Sequence, residues 1–117
     1  MKNIFPFIAL CLLLTACSRR DATISKEITG VWAHSPDYSE QYNPNGSYLT
    51  ISRNYRGTNV YAGTWLIKNG VMTEVLTNVS GPKSHARVGD IVHLKIISAD
   101  AHHMTIEIGG HTEAVSR

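Results

Sequence analysis

The sequence predicts an all-β fold, a small antiparallel meander barrel of seven or eight short strands. Segments rich in Val, Ile, Thr, Tyr and Trp alternate with tight-turn signals from residue 30 to residue 116, and no segment shows a long helical period. About 90 residues are enough for one domain with a core of its own. A small sheet with one apolar face must cover that face, and closure into a barrel does so while it removes exposed edges.

The chain begins with a segment typical of bacterial export. Lys2 precedes an almost wholly apolar run over residues 4–14, which is shorter than the roughly 20 residues needed to span a bilayer. Residues 14–17, Leu-Thr-Ala-Cys, resemble the lipobox of bacterial lipoproteins, in which the cysteine thiol is joined to diacylglycerol and becomes the new N-terminus. We therefore expect residues 1–16 to be a signal peptide that is removed and Cys17 to be acylated.

The residues around Cys17 predict where the protein is held. Ser18 follows the cysteine, whereas Asp at that place tends to retain lipoproteins at the inner membrane, so the periplasmic face of the outer membrane is favoured. Two or three acyl chains give a stable anchor. The other cysteine, Cys11, lies in the signal peptide, so the mature chain has no disulfide. We expect residues 17–27 to be a polar tether and residues 28–117 to be the folded domain.

Three turn signals separate the predicted strands. Residues 43–46, Asn-Pro-Asn-Gly, combine a proline that presets φ with a glycine that tolerates a left-handed backbone. Residues 69–70 are Asn-Gly, the strongest short hairpin signal, and residues 109–110 are Gly-Gly. The predicted strands are Gly30–His34, Ser39–Tyr42, Ser47–Arg53, Thr58–Ile67, Val71–Val79, Asp90–Ser98, His103–Ile108 and His111–Ser116.

One hairpin can be assigned a register from its side chains. If Lys95 lies opposite Glu107, the two opposite charges pair across the strands on the solvent side, and Ser98 lies opposite Met104. A slip by one residue would mix apolar and polar faces. The apolar face then contains Val92, Leu94, Ile96, Met104, Ile106 and Ile108.

The order of the motifs resembles the small bacterial lipocalin-like domains. Residues 30–32 read Gly-Val-Trp, residues 42–48 read Tyr-Asn-Pro-Asn-Gly-Ser-Tyr, and residues 63–65 read Gly-Thr-Trp before the Asn-Gly hairpin. The resemblance implies a barrel whose interior or mouth binds an apolar or amphipathic small ligand. It also implies that the Trp of the opening motif packs beneath an Arg near the chain end, here Trp32 and Arg117, so that one end is closed.

Aromatic residues are the candidates for a ligand wall. Filling of the core is the preferred role of both Trp32 and Trp65, and a ligand contact is the alternative. Tyr55 belongs to the wider set of aromatic candidates. The residues assigned to ligand binding are Tyr42, Tyr48, Tyr61 and Trp65.

Signals of catalysis, metal binding and nucleic-acid binding are missing from the sequence. No nucleophile elbow or phosphate loop occurs, and the carboxylates form no evident acid–base pair. The six histidines show neither His-x-His nor His-Glu-x-x-His spacing. The formal net charge is +2, with basic residues spread among acids, whereas a nucleic-acid surface needs a concentrated basic patch. We expect no enzyme activity, no metal and no cofactor.

Two functions remain open from the sequence. The first is binding of a small ligand inside the barrel, and the second is a structural or interaction role in which the barrel loops bind another envelope protein. The interior distinguishes them, because a cavity of ~300 Å³ or more supports a ligand, while a filled interior supports the protein partner.

Overall fold

The chain folds as a closed barrel of eight antiparallel strands that follows one short helix over residues 20–28. The computed structural model describes residues 20–82 and 85–117, so the predicted signal peptide and Cys17 lie outside the described residues. Every strand pairs with its neighbour along the chain, which confirms the predicted meander. The strands are β1 (Gly30–Ser35), β2 (Tyr38–Tyr42), β3 (Ser47–Asn54), β4 (Gly57–Lys68), β5 (Val71–Ser80), β6 (Ile91–Ala99), β7 (His103–Ile108) and β8 (His111–Ser116).

The turn residues adopt the backbone that their sequence predicts. Asn69 and Gly70 have φ values of 54° and 74°, so both central residues of the β4–β5 hairpin are left-handed, as a two-residue hairpin turn requires. Gly46 has a φ of 87° and donates its N–H to the carbonyl of Asn43 at 3.1 Å. The strand ends consequently lie within one residue of the predicted positions.

The β6–β7 hairpin has the predicted register over half of its length. A β-bulge between Ile96 and Ser98 then shifts the pairing by one residue, because an extra residue on one strand has no partner opposite. The prediction that Ser98 faces Met104 was therefore wrong. Ile108, at the end of β7, is 37% exposed rather than buried. The observed pairs are Lys95 with Glu107, Ile96 with Ile106, Ser98 with Thr105 and Ala99 with Met104.

The folded part begins earlier than the predicted boundary at residue 28. Residues 20–28 form a helix instead of a tether, and Ile24 and Ile28 pack into the barrel core with exposures of 9% and 0%. Residues four apart lie on one face of a helix, so these two isoleucines make a short apolar stripe. The stripe is hidden among polar neighbours in the sequence. Within the described residues, no helix has the length and apolar character needed to cross a bilayer.

The helix and the C-terminus cover one end of the barrel, which we call the closed end. The carboxylate of Asp21 accepts the N–H groups of Asn69 and Gly70 at 2.7 and 2.9 Å, which ties the helix to the β4–β5 turn. Trp32 is 0% exposed. The guanidinium carbon of Arg117 lies 4.2 Å from the centroid of the Trp32 ring, so the structure brings together the two residues that the sequence assigns to closure.

Arg117 also bonds three backbone carbonyls that belong to different parts of the closed end. Its guanidinium donates to the oxygens of Thr29 at 2.6 Å, Glu27 at 2.7 Å and Ala101 at 2.8 Å. A Cβ at Gly30 would lie 2.5 Å from Nη1 of Arg117, and Gly30 has a φ of 125°, so only glycine leaves room for this side chain. The contact spans the seam between β1 and β8, where the strands share one register pair.

The opposite end of the barrel, which we call the open end, is formed by the β1–β2, β3–β4 and β7–β8 turns and by residues 81–82 and 85–90 of the connection between β5 and β6. The core lies between the two ends. Its buried residues are Ile24, Ile28, Trp32, Tyr42, Tyr48, Trp65, Met72, Leu94, Ile96, Met104, Ile106 and Val115.

Candidate ligand site at the open end of the barrel

A cavity of about 170 Å³ lies inside the open end. Alternate residues of a strand point to the same face, so Tyr38 and Glu40 of β2 enter the cavity together, as do Glu74 and Leu76 of β5. The connection before β6 forms part of the rim. The residues that line the cavity are Tyr38, Glu40, Tyr48, Thr50, Tyr61, Glu74, Leu76, Ala86, Asp90 and Val92.

The volume of this cavity lies between the two cases that the sequence leaves open, a large ligand cavity and a filled interior. It is smaller than the roughly 300–1,000 Å³ of sites for drug-sized ligands, yet the interior is not filled. A cavity of about 150 Å³ accommodates a molecule as large as benzene. The barrel therefore has room for a compact molecule of fewer than about ten non-hydrogen atoms.

Two carboxylates meet on one tyrosine hydroxyl at the base of the cavity. The Tyr42 oxygen lies 2.6 Å from Oε1 of Glu74 and 2.8 Å from Oε2 of Glu40. A phenol carries one proton and can donate only one hydrogen bond. Both short contacts are satisfied when Tyr42 donates its proton to one carboxylate and accepts a hydrogen bond from the other acid, which must then be protonated. The two acids thus hold one proton between them, in addition to the proton of the tyrosine hydroxyl.

The surroundings of Glu40 and Glu74 determine which of the two carboxyl groups holds that proton. Burial raises the pKa of Glu74 to about 7, although the hydrogen bond from Tyr42 opposes the shift. Burial acts in the same direction on Glu40, but its contacts with His34 and Tyr42 outweigh burial and lower its pKa. Glu40 is therefore the ionised member and Glu74 the member that holds a proton near neutral pH, as expected when two like charges share a site.

The imidazole of His34 lies next to Glu40 and carries a positive charge when it is protonated. Its Nε2 lies 3.4 Å from Oε2 of Glu40, and its Nδ1 lies 3.9 Å from the carboxylate of Glu113. Nε2 is buried and lacks the geometry of a hydrogen bond to any described residue, so we treat the contact with Glu40 as an ion pair. The Glu40 contact raises the pKa of His34, burial opposes this, and the charge of Glu113 adds to it.

The structure separates the four residues that the sequence assigns to ligand binding into two pairs. Tyr48 and Tyr61 line the cavity. Tyr42 is 1% exposed and lies beneath it. Trp65 packs edge-on against Tyr42 with a centroid distance of 5.4 Å, and its Nε1 donates to the carbonyl of Asn43. Trp65 therefore fills the core, whereas Tyr55 is 89% exposed on the β3–β4 turn.

Sequence reasoning missed the acids of the cavity. No pair of carboxylates is evident in the sequence, yet Glu40 and Glu74 both contact Tyr42 although they are 34 positions apart. A signal was present in the strand pattern. Glu40 stands two residues before inward-facing Tyr42, and Glu74 lies between inward-facing Met72 and Leu76, so alternation alone places both carboxylates inside.

The second Gly-x-Trp motif shapes the wall beside this site. A Cβ at Gly63 would overlap the carbonyl oxygen of Val75, and the β4–β5 pairing shifts at a bulge between Ala62 and Gly63. Glycine at this position therefore permits the close approach of the two backbones. Within residues 20–82 and 85–117, no group of three or more His, Cys, Asp or Glu side chains could hold a metal ion.

Comparison with known proteins supports the fold alone. No protein-family model matches the chain, and no curated protein sequence matches it. Among solved structures, the chain is similar to a lipocalin-like protein from Bacteroides uniformis ATCC 8492, with a TM-score of 0.61 and 12% sequence identity. The match covers 78% of this chain and 98% of that one. The fold is therefore a lipocalin-like barrel, as the motif order predicts.

Proposed function

We propose that this chain is a non-enzymatic, lipid-anchored protein of the bacterial envelope whose barrel binds a small amphipathic molecule in the open-end cavity. The observation that carries the proposal is the cavity itself, which lies inside a lipocalin-like barrel and presents apolar and polar groups together. Sites for small molecules are concave, with apolar walls and a few polar groups that orient the ligand. Leu76 and Val92 supply such walls, and Glu40, Glu74 and Thr50 supply the polar groups.

The proposed anchor orients the cavity. Cys17 precedes the helix at residue 20 by three residues, which span at most about 11 Å when fully extended. The helix covers the closed end, so an acylated Cys17 would hold that end close to the membrane surface. The open end would then face away from the membrane. A ligand in this arrangement reaches the cavity from the aqueous side.

Replacement of the cysteine tests the anchor. We expect wild-type protein to have a mature N-terminus at an acylated Cys17 and to partition into detergent, as the resemblance to a lipobox predicts. Cys17→Ser should remain unprocessed or be released from the membrane, because it lacks the thiol. A Cys11→Ser variant serves as the control and should behave as wild type. An unmodified wild-type N-terminus, or one at another residue, would contradict the anchor.

Filling the cavity tests ligand binding. Native mass spectrometry of protein purified from its own host should show a bound species below about 200 Da, the size that the cavity allows. Leu76→Trp places a large ring in the cavity and should remove that species. Leu66→Trp adds the same ring at a position that is 56% exposed and should retain it. Identical spectra for wild type and Leu76→Trp would count against a bound ligand.

A second candidate function is supported by exposed side chains on the open-end loops. Tyr55 is 89% exposed and stacks on Arg56, whose guanidinium carbon lies 5.1 Å from the ring centroid. Val88, on the connection before β6, is 66% exposed. Tyr and Arg are enriched where proteins bind each other. A photo-crosslinking residue at position 55 should capture one defined envelope protein in cells, and the same residue at position 66 should not.

A further inference from the structure

We propose that the cavity selects a small primary amine, whose ammonium group binds between Glu40 and Glu74 and whose short apolar body packs against the tyrosine walls. This inference rests on the proposed ligand-binding function and names the chemical class of its ligand. Four properties of the site lead to it: the sign of its charge, its aromatic lining, its volume and the proton that its acids share.

The residues that line the cavity include acids but no bases. Three of the ten lining residues are acids, namely Glu40, Glu74 and Asp90, and none is Lys, Arg or His. His34 pairs with Glu40 from β1, so one carboxylate has a partner in the protein. A buried carboxylate is costly unless it is paired. The ionised form of Glu74 has no cation among the lining residues, so an ammonium group in the cavity would stabilise that form through charge-assisted hydrogen bonds.

The aromatic part of the lining suits the same ligand. Tyr38, Tyr48 and Tyr61 line the cavity together with the acids. The face of an aromatic ring carries negative charge and attracts a cation within about 6 Å of its centroid. An anion would meet both the carboxylates and these ring faces unfavourably. Tyrosine rings also accept the apolar body of the ligand, so a single molecule can use both parts of the site.

The volume limits the ligand to a compact amine. About 170 Å³ holds a body of the size of benzene with little space beyond an amino group. Only part of a fatty acyl chain or a peptide segment would fit within this space. The class that agrees with both charge and volume is a primary amine with one small ring or a short aliphatic chain.

Binding of an ammonium group changes the proton balance of the site. Near neutral pH the free site holds one proton on Glu74, because burial disfavours the ionised form of this carboxyl group. An ammonium group favours the carboxylate, so Glu74 releases its proton to solvent and accepts hydrogen bonds from the amine. Proton release on binding means that affinity rises with pH until the amine itself loses its charge.

Several other groups face the site and belong to the same proton and charge balance. They come from the strands packed around Glu74 of β5 and from the connection before β6. These groups are His34 of β1, Tyr38, Glu40 and Tyr42 of β2, Tyr48 of β3, Tyr61 of β4, Glu113 of β8 and Asp90.

Three probes of matched shape test the inference. Benzylamine, benzyl alcohol and benzoate would be titrated by calorimetry into full-length protein in detergent, with a detergent blank for each probe. We expect benzylamine to bind about tenfold or more tightly than benzyl alcohol, since a charged hydrogen bond exceeds a neutral one by about that factor, and benzoate to bind least. Between pH 6 and pH 8 benzylamine affinity should rise by up to about tenfold, because Glu74 is ionised across that interval.

Two glutamine substitutions separate the role of Glu74 from a general charge effect. Glu74→Gln should lose the preference for benzylamine over benzyl alcohol and flatten the pH dependence of benzylamine affinity. Glu107→Gln removes a carboxylate from the outer face of β7 and should change neither result. The pH series on wild-type protein needs no variant, so the test stands even if Glu74→Gln fails to fold.

The outcomes distinguish this inference from the function on which it rests. Equal binding of benzylamine and benzyl alcohol, or tightest binding of benzoate, would overturn the amine and leave a ligand-binding barrel. Benzylamine affinity that falls between pH 6 and pH 8 would also overturn it. The absence of binding by all three probes at millimolar concentration would overturn both the amine and the proposed ligand-binding function.

Discussion

The closed and open ends of the barrel use buried polar groups in opposite ways. At the closed end, Arg117 donates to three carbonyls and lies on the Trp32 ring, so its donors have protein partners. At the open end, Glu40 and Glu74 both contact the Tyr42 hydroxyl and border the cavity, and no basic residue lines that cavity. Satisfied polar groups stabilise a fold, whereas incompletely paired ones are costly. We infer that the closed end serves stability and the open end serves binding.

The two ends also differ in what their tryptophan and tyrosine rings contact. Trp32 is 0% exposed and is surrounded by core residues and Arg117. Tyr48 and Tyr61 have one side in the core or wall and the other on the cavity. The comparison predicts that substitutions at the closed end reduce the free energy of unfolding, and that those at the open end chiefly reduce ligand affinity.

The largest expected effect compares one aromatic residue from each end. Trp32→Ala should lower the free energy of unfolding by about 3–5 kcal/mol, because a large buried ring leaves a cavity. Tyr61→Ala should cost only about 1 kcal/mol, because Tyr61 already borders open space. Denaturant unfolding measures both. Equal losses would break the distinction between the two ends.

The pH dependence of stability is the next largest effect. The folded-state pKa of Glu74 is raised from 4.5 to about 7, so the folded protein binds more protons than the unfolded chain across this interval. The contribution of Glu74 to stability is therefore fully present below pH 4.5, and about 3 kcal/mol of it should be lost as pH rises through 7. The raised pKa of His34 acts in the same direction. The lowered pKa of Glu40 removes stability as pH falls below 4.5.

Unfolding curves from pH 4 to pH 8 measure this dependence. Glu74→Gln should flatten the decline, since the amide keeps a hydrogen-bonding group next to Tyr42 without a titrating proton. Glu107→Gln should leave the slope unchanged. An increase in stability from pH 5 to pH 8 would contradict the assignment of the shared proton to Glu74.

Removal of Arg117 is expected to have a smaller effect. Its deletion should lower the free energy of unfolding by about 1–2 kcal/mol, because hydrogen bonds to three carbonyls and a ring contact are lost at a partly solvated surface. Affinity for benzylamine should stay nearly unchanged. Arg117→Lys should restore only part of the stability, since one ammonium cannot reproduce the planar fork of donors. Unchanged stability on deletion would show that Arg117 does not stabilise the closed end.

Loss of the helix contact is expected to have the smallest effect. Asp21→Ala removes the acceptor for two N–H groups of the β4–β5 turn and should cost about 0.5–1 kcal/mol at this solvated position. Lys26→Ala, on an exposed position of the same helix, should change stability by less. Hydrogen exchange at Asn69 and Gly70 should speed up only in the Asp21→Ala variant. Faster exchange in both variants would indicate general fraying of the helix.

The sequence determined most of the barrel because its signals are local. Alternation of apolar and polar residues specifies a half-buried strand, and Asn69-Gly70 specifies a two-residue turn within four or five positions of chain. These signals placed all eight strands and the β6–β7 register as far as Ile96. The bulge before Ser98 and the helix over residues 20–28 escaped prediction, because packing against the rest of the barrel decides both.

Only the tertiary structure decided the site. Glu40 and Glu74 are ordinary strand residues in the sequence, and their meeting on Tyr42 depends on how β2 and β5 face each other across the closed barrel. Likewise, Trp65 is core and Tyr61 is cavity wall, although both are aromatic residues of β4 that point inward. The two side chains differ in their position along the barrel axis. That position is a product of strand tilt and register around the entire sheet, which no local stretch of sequence encodes.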